Sequence, residues 1–147
     1  MITLDFSKSS RKKGDLLNYI PISNTELATT TVIYGANASG KSNLLRAFKV
    51  LEFLVLNSAK FDPDNKLGPN EPFRLTKGFD KKFVSIELEF FIDQIRYIYL
   101  IVFGEKSIEQ EKLLFFPLAK EATLFNRING KEIQFGEYFK GEKKTIE

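Results

Sequence analysis

The sequence predicts an α/β fold of the phosphate-loop NTPase class, in which a strand, a phosphate-binding loop and a long helix are followed by an antiparallel β-meander. Two observations predict it. The first is the segment from Gly35 to Ser42, which fits the pattern G-x-x-x-x-G-K-[ST] between a β-branched run and a helical one. The second is the spacing of apolar residues, whose period changes from about 3.6 to about 2 after residue 72.

The composition is that of a globular domain. The chain has 147 residues, of which 43% are hydrophobic, and this length allows one domain with a core. The net charge of +3 neither requires nor excludes a nucleic-acid partner. Because the chain contains no Cys and no His, disulfides, the usual zinc sites and His-based triads are excluded. With no apolar signal or membrane-length run, we expect a cytoplasmic protein.

Two strands are predicted before the loop. Met1 to Phe6 alternates apolar and polar residues as a short strand does, and the basic stretch from Lys8 to Lys13 is predicted to be a loop. Thr29 to Tyr34 is β-branched and apolar and ends directly on Gly35. This composition is typical of a buried strand, so we expect a core strand that leads into the loop.

A long helix is predicted after the loop, because neither Pro nor Gly occurs from Lys41 to about Ala59. Most of its residues are apolar, and the only polar stripe is formed by Arg46, Lys49 and Glu52. We expect this helix to be mostly buried and about 30 Å long. The segment from Phe61 to Pro72, with three Pro and one Gly, is predicted to be a surface loop.

The back half is predicted to be an antiparallel meander. Apolar and polar residues alternate from Val84 to Phe90, and after a turn at Asp93 and Gln94 the chain returns from Ile95 to Phe103 as a hairpin. Lys112 to Phe116 is predicted to form a further strand.

A last hairpin is predicted from Thr123 to Ile128 and from Lys131 to Phe135, because Asn129-Gly130 between them suits a type I′ turn. The polar residues from Gly136 to Glu147 add no element, so we expect the chain to end before its architecture is complete. The predicted organisation is one incomplete domain, 1–147, with a strand and helix part (1–60), a loop (61–72), an antiparallel β part (73–135) and a polar tail (136–147).

The segment Gly35-Ala-Asn-Ala-Ser-Gly-Lys-Ser42 has the residues that binding of a triphosphate requires. Gly35 and Gly40 allow a tight turn that brings the amides of residues 38–42 together at the helix N-terminus, where the dipole favours an anion. Lys41 is expected to reach the β- and γ-phosphates of ATP. Ser42 is expected to place its hydroxyl on Mg²⁺, which makes it the predicted metal ligand.

Hydrolysis would also require a carboxylate on a second buried strand and a group that orients water. Ile98 to Phe103, followed by Glu105, is better explained as a hairpin strand and its turn. Glu87 and Glu89 are expected on a solvated sheet face rather than as an acid–base pair. We therefore predict no catalytic residue. The glutamines that could orient water are Gln94, Gln110 and Gln134.

Other phosphate-loop classes fit less well. A small GTPase requires a D-x-x-G switch, which is absent, and a base-reading N-K-x-D, where Asn65-Lys66-Leu67-Gly68 has Gly in place of Asp. A nucleoside kinase would continue with repeated βα units, whereas this sequence continues with antiparallel strands. Neither class therefore fits this sequence.

The order of strand, loop, helix and antiparallel strands resembles the start of ABC-type ATPase heads, including the RecF, SMC and OLD proteins. The run from Ile33 to Phe48 resembles bacterial AAA-labelled, ABC-type ATP-binding proteins linked to abortive phage infection. The resemblance spans about Met1 to Ile133, and only the loop is highly specific. It also includes Arg96-Tyr97-Ile98-Tyr99, Ile108 to Leu114 and Leu124-Phe125-Asn126-Arg127.

The resemblance implies a domain that sandwiches ATP and Mg²⁺ between two heads, so a homodimer or a second chain would supply the missing elements. The family's opening strand with its Asn-Phe-Arg-Ser-like turn, its signature loop, Walker B carboxylates and switch His have no counterpart here. The chain is thus expected to be part of an ATPase that binds nucleotide without turning it over. The predicted contacts are Gly35, Asn37, Ala38, Ser39, Gly40, Lys41, Ser42 and Asn43.

Two alternatives remain open at this stage. The first is a non-catalytic module that binds a partner and carries a relic phosphate loop. The second is a DNA-maintenance ATPase like RecF or SMC, for which DNA or RNA contacts would weaken steeply with salt. The short basic clusters are more typical of surface charge than of a nucleic-acid site. These clusters are Arg11-Lys12-Lys13, Lys81-Lys82 and Lys143-Lys144.

Overall fold

A computed structural model describes residues 3–8, 18–57, 83–129 and 133–141. These residues form one α-helix and two antiparallel sheets. The elements, in chain order, are β1 (Tyr19–Ile22), β2 (Thr25–Ala28), α1 (Lys41–Asn57), β3 (Val84–Ile92), β4 (Ile95–Phe103), β5 (Ile108–Phe115), β6 (Ala122–Ile128) and β7 (Gln134–Phe135). A short 3-10 turn, Pro117–Ala119, lies between β5 and β6.

The predicted meander is confirmed as a five-stranded sheet in the order β3-β4-β5-β6-β7, with every pair antiparallel. The β3–β4 turn consists of Asp93 and Gln94, whose φ angles of 48° and 66° suit a type I′ turn.

The last predicted hairpin is present as β6 paired with β7, and Asn129 has the expected positive φ of 54°. Its predicted two-residue turn is wrong, because Phe125 pairs with Phe135 and Asn126 with Gln134, one residue out of register with a turn of Asn129 and Gly130 alone. Gly130 and the start of the last predicted strand lie outside the described residues.

The core lies between α1 and one face of this sheet. Leu51 and Leu54 of α1 are buried against β4, the second strand of the sheet, where Ile101 and Phe103 are each 1% exposed. Alternate residues of a strand share a face, so one side of β4 contributes the whole row from Tyr99 to Phe103. This row therefore fixes where α1 crosses the sheet.

A polar network lies at the edge of the core. The Tyr99 hydroxyl donates a hydrogen bond to Glu111 Oε1 at 2.7 Å, and Arg127 Nη2 donates to Glu111 Oε2 at 2.6 Å. Burial raises the pKa of Tyr99 well above its usual value of 10.0, and the Glu111 carboxylate raises it further. The phenol is therefore held in its neutral, donating form.

A second hairpin, β1–β2, was not predicted from the sequence. It is extended by a bridge between Ser7 and Leu27 and by an ion pair between Lys8 and Glu26. Its turn contacts the β3–β4 turn, because the Ser23 amide donates to Gln94 Oε1 at 2.6 Å. The prediction of a strand at residues 1–6 is wrong for residues 3–6, which have no strand structure.

The prediction of a buried core strand from Thr29 to Tyr34 is also wrong for this structure. Residues 30–36 form no regular element, and Val32, Ile33 and Tyr34 are 64%, 43% and 88% exposed. A parallel core strand is stable only when neighbouring strands pair with it and both faces are covered. No strand among the described residues pairs with this segment, so its β-branched residues remain exposed.

The predicted helix is confirmed from Lys41 to Asn57, but the prediction that it is mostly buried is wrong. Among its described residues only Leu51 and Leu54 are buried, while Leu45, Val55 and Leu56 are 57–67% exposed. The reason is that the sheet covers one side of α1 only. Residues 58 and 59, at the predicted end of the helix, lie outside the described residues.

Several other predictions fall on residues that the structure does not describe. They are the loops of residues 9–13 and 61–72, and the second half of the predicted polar tail, residues 142–147. Across the described part of the chain, no helix has both the length and the apolar character needed to cross a membrane.

Replacing Leu54 tests the contact between α1 and the sheet. Leu54 is fully buried, so Leu54→Ala should lower the free energy of unfolding by about 2–5 kcal/mol through lost burial and a cavity. Leu45→Ala on the same helix should change it by less than about 0.5 kcal/mol, because Leu45 is 65% exposed. Urea denaturation of the two variants checks this, and equal losses would show that α1 does not pack as described.

Tyr99 should make the protein sensitive to alkali. Its pKa is raised in the folded state, so its stabilising effect is complete below pH 10.0, where the unfolded phenol is also neutral, and is lost as pH rises above that value. Tyr99→Phe should therefore lose less stability than the parent between neutral pH and alkaline pH. Urea denaturation across this range measures the difference. Tyr34→Phe, at a residue 88% exposed, should follow the parent, and a parent-like Tyr99→Phe would contradict the network.

Candidate functional site

The phosphate-loop motif forms a compact turn directly before α1. The Ser39 amide donates to the Ala36 carbonyl at 3.3 Å, and the backbone turns through left-handed conformations at Ala38 (φ 63°) and Gly40 (φ 93°). Only Gly adopts a φ near 93° without strain, which explains the second Gly of the motif. Helix α1 then begins at Lys41.

The amino end of α1 has unused hydrogen-bond donors. The amides of Asn43 and Leu44 donate to the Gly40 carbonyl at 3.0 and 3.3 Å, as in any first helical turn. The preceding amides, of Lys41 and Ser42, find no main-chain acceptor among the described residues. The first turn of α1 also contains no acidic side chain that would satisfy them. The helix end is therefore available to an anion.

Lys41 folds back over the loop. Its ammonium Nζ donates to the carbonyl oxygens of Gly35 and Ala36, both at 2.6 Å, and to Ser39 Oγ at 3.3 Å. These contacts tie the start of the loop to the start of the helix. They also use every donor of the ammonium group, and the bond to Ser39 is the longest of the set.

The remaining predicted contacts lie in the same short segment. Ser42 is exposed, and its hydroxyl has no hydrogen-bond partner among the described residues. Asn37 and Asn43 are exposed as well, so their side chains can reach solvent above the loop. The structure thus brings the predicted residues together in one turn.

Groups for hydrolysis are not gathered at this loop in the described part of the chain. β4, which was considered as a possible carboxylate-bearing strand, is confirmed as a hairpin strand between β3 and β5. Gln94 accepts a hydrogen bond from the Ser23 amide in the turn between the two hairpins. No group of three or more potential metal ligands occurs among the described residues.

Sequence reasoning missed two features of the site. One is the use of the Gly35 and Ala36 carbonyls as acceptors for Lys41, since main-chain acceptors leave no trace in residue type. The other is the left-handed Ala38, because Ala carries no sign of a positive φ. The two glycines of the motif were the only signal of an unusual backbone.

Comparison with family models gives one result. Residues 30–143, well over half of the chain, match the model of the family described as "AAA domain, putative AbiEii toxin, Type IV TA system". The matched range begins in the segment before the loop and includes α1 and the complete five-stranded sheet. Searches of curated proteins and of solved structures gave no match.

The two left-handed residues of the loop, Ala38 and Gly40, should differ in their response to exchange between Gly and Ala. A β-carbon on Gly40 would meet no atom within 4 Å, so Gly40→Ala costs only backbone strain, about 1–2 kcal/mol. Ala38→Gly should be nearly neutral, because relief of its left-handed conformation offsets the greater entropy of the unfolded chain. Urea denaturation compares the two, and a neutral Gly40→Ala would show that the loop has another conformation.

Proposed function

Because the chain belongs to this AAA-domain family, we propose that it is a phosphate-loop ATPase domain that binds ATP with Mg²⁺ through residues 35–43. The observation that carries the proposal is the amino end of α1, where two main-chain donors lack acceptors among the described residues and the first turn contains no acidic side chain. Such an end attracts phosphate through both its amides and the helix dipole.

Lys41 is proposed to bind the terminal phosphates. Its two short bonds to the Gly35 and Ala36 carbonyls hold the ammonium above the loop, while the longer bond to Ser39 Oγ is the one that a phosphate oxygen can replace. A charge-assisted bond to phosphate is stronger than one to a neutral hydroxyl, so the exchange is favourable. Lys41 would then both shape the loop and bind the nucleotide.

Ser42 is proposed as the protein ligand of Mg²⁺. Its hydroxyl is exposed and unpartnered among the described residues, and it follows Lys41 directly at the helix start. Mg²⁺ prefers oxygen ligands and is commonly held by few protein groups together with substrate phosphates. When bound, the ion offsets the negative charge of the phosphate oxygens.

Turnover is proposed to require groups from outside the described residues. Phosphate-loop enzymes hold the metal with a further carboxylate and orient the attacking water with another side chain. No described segment offers a carboxylate-bearing strand beside the loop. We therefore propose that a second copy or another chain completes the site, and that the assembled ATPase acts in the cytoplasm in defence against phage, as the abortive-infection name of the family suggests.

A second candidate is a partner-binding module that does not use nucleotide. It is favoured by the engagement of all three ammonium donors of Lys41 within its own loop. In this alternative the loop would be a closed structural turn, and its affinity for ATP would not depend on Lys41. The two candidate functions thus differ in whether the affinity for ATP depends on Lys41.

Nucleotide titration distinguishes them. With Mg²⁺ present, Lys41→Ala should weaken binding of a fluorescent ATP analogue by about tenfold or more, because a charge-assisted bond is lost. Lys49→Ala removes the same charge from an exposed position on α1 and should bind as the parent does. Ser42→Ala should lose most of the gain in affinity that Mg²⁺ gives. Equal affinities of the Lys41→Ala variant and the parent would leave only the partner-binding module.

A further inference from the structure

Among the described residues, strand β3 has an open edge. In the described sheet β3 is terminal and pairs only with β4, and it is nine residues long. The opposite edge strand, β7, spans only Gln134–Phe135. A long open edge presents unpaired main-chain donors and acceptors and invites another strand, so natural proteins usually shorten, cover or charge it.

The β3–β4 turn determines which main-chain groups face outward. A two-residue turn closes on a hydrogen-bonded pair, here Ile92 and Ile95, and such pairs alternate along an antiparallel ladder. Ile86, Leu88 and Phe90 therefore bond to β4. The residues whose NH and C=O groups face the open edge are Ser85, Glu87, Glu89 and Phe91.

The two faces of β3 differ in chemistry. Ile86 and Leu88 are half-buried and pack against the core below α1, so a strand added at the edge would extend this apolar face. On the other face Glu87 and Glu89 are exposed. Glu89 bonds to Arg96 at 2.8 Å, whereas Glu87 forms no ion pair among the described residues. The edge thus combines an apolar side with a negative side.

This charge disfavours a second copy as the added strand in the three registers that overlap most fully, which are centred on residues 87, 88 and 89. In an antiparallel pair of two β3 strands, a register centred on Glu87 or on Glu89 places that residue opposite itself. A register centred on Leu88 places Glu87 opposite Glu89. Like charges directly opposite each other destabilise a strand pair. A strand with basic residues at these positions would instead be attracted.

We propose that the open edge of β3 binds an extended segment of a different protein, in which basic residues alternate with apolar ones. The segment would add a strand to the sheet, with its basic side chains beside Glu87 and Glu89 and its apolar side chains continuing the row of Ile86 and Leu88. Main-chain bonds supply affinity in this mode, and alternate side chains supply specificity. The interaction does not depend on nucleotide.

Amide hydrogen exchange of the intact chain, measured with and without a capped peptide, tests the proposal. The peptide alternates lysine and valine and is as long as β3. The peptide should slow exchange at the outward amides of Glu87 and Glu89, which have no partner in the described sheet. The amides of Ile86 and Leu88 already bond to β4 and serve as the internal reference. A peptide of alternating glutamate and valine should protect none of them. Binding of the basic peptide should weaken with salt.

Variants at Glu87 separate the contribution of side-chain charge from that of main-chain hydrogen bonds. Glu87→Lys should weaken the basic peptide about tenfold, since an attraction becomes a repulsion, and should admit the acidic peptide. Glu87→Pro removes an outward NH without removing a bond to β4, and should weaken the basic peptide about tenfold or more. Glu52→Lys makes the same charge change at an exposed residue of α1 and should leave the affinity within about twofold.

Two results would overturn the proposal. One is amide protection that is equal for the basic and acidic peptides, or that is unchanged in Glu87→Lys. The Glu87→Lys variant keeps the strand, so this test remains valid even if Glu87→Pro does not fold. The other is self-association of the free chain that is lost in Glu87→Lys, which would make the occupant a second copy. Lys41→Ala should bind the peptide normally, so failure of nucleotide binding and failure of the edge are distinguishable.

Discussion

The packing of α1 on β4 is the contact on which the rest of the structure depends. Leu54 is fully buried against Ile101 and Phe103, and this small set of residues forms the centre of the described core. Since β4 is the second strand of a five-stranded sheet, the contact joins the helix to the whole meander. The phosphate loop lies at the start of the same helix, so the hydrophobic contact also positions the main-chain donors that face a nucleotide.

Lys41 adds a second constraint, which acts within the loop. Without it, no hydrogen bond among the described residues would join residues 35–39 to the rest of the fold, because the segment before them pairs with no described strand. The ammonium bonds to the Gly35 and Ala36 carbonyls close the loop on itself. The same charge that is proposed to bind phosphate therefore also maintains the shape of the loop, and the two roles share one side chain.

The sequence predicted the parts of the fold that depend on local pattern. The meander followed from alternation between Val84 and Phe90, the turn at Asp93 from its spacing, and the helix start from the motif. Membership of the AAA-domain family was likewise predicted, from the residues around the loop. The sequence failed where the outcome depends on neighbours. Thr29 to Tyr34 has the composition of a core strand, but composition does not supply the adjacent strands that such a segment requires.

The exposed segment before the loop and the open edge of β3 are both unpaired in the described part of the chain, yet strands that pair with them would have different chemistry. Val32 and Ile33 are apolar neighbours that would point to opposite faces of a strand, so a strand there is stable only inside a sheet covered on both sides. β3 is apolar on one face and acidic on the other, so a single basic strand suffices. Only a sheet that covers residues 30–34 would anchor the amino end of the loop. Pairing of residues 30–34 with neighbouring strands would therefore affect the backbone geometry around Gly35, whereas a strand added at the edge of β3 would not.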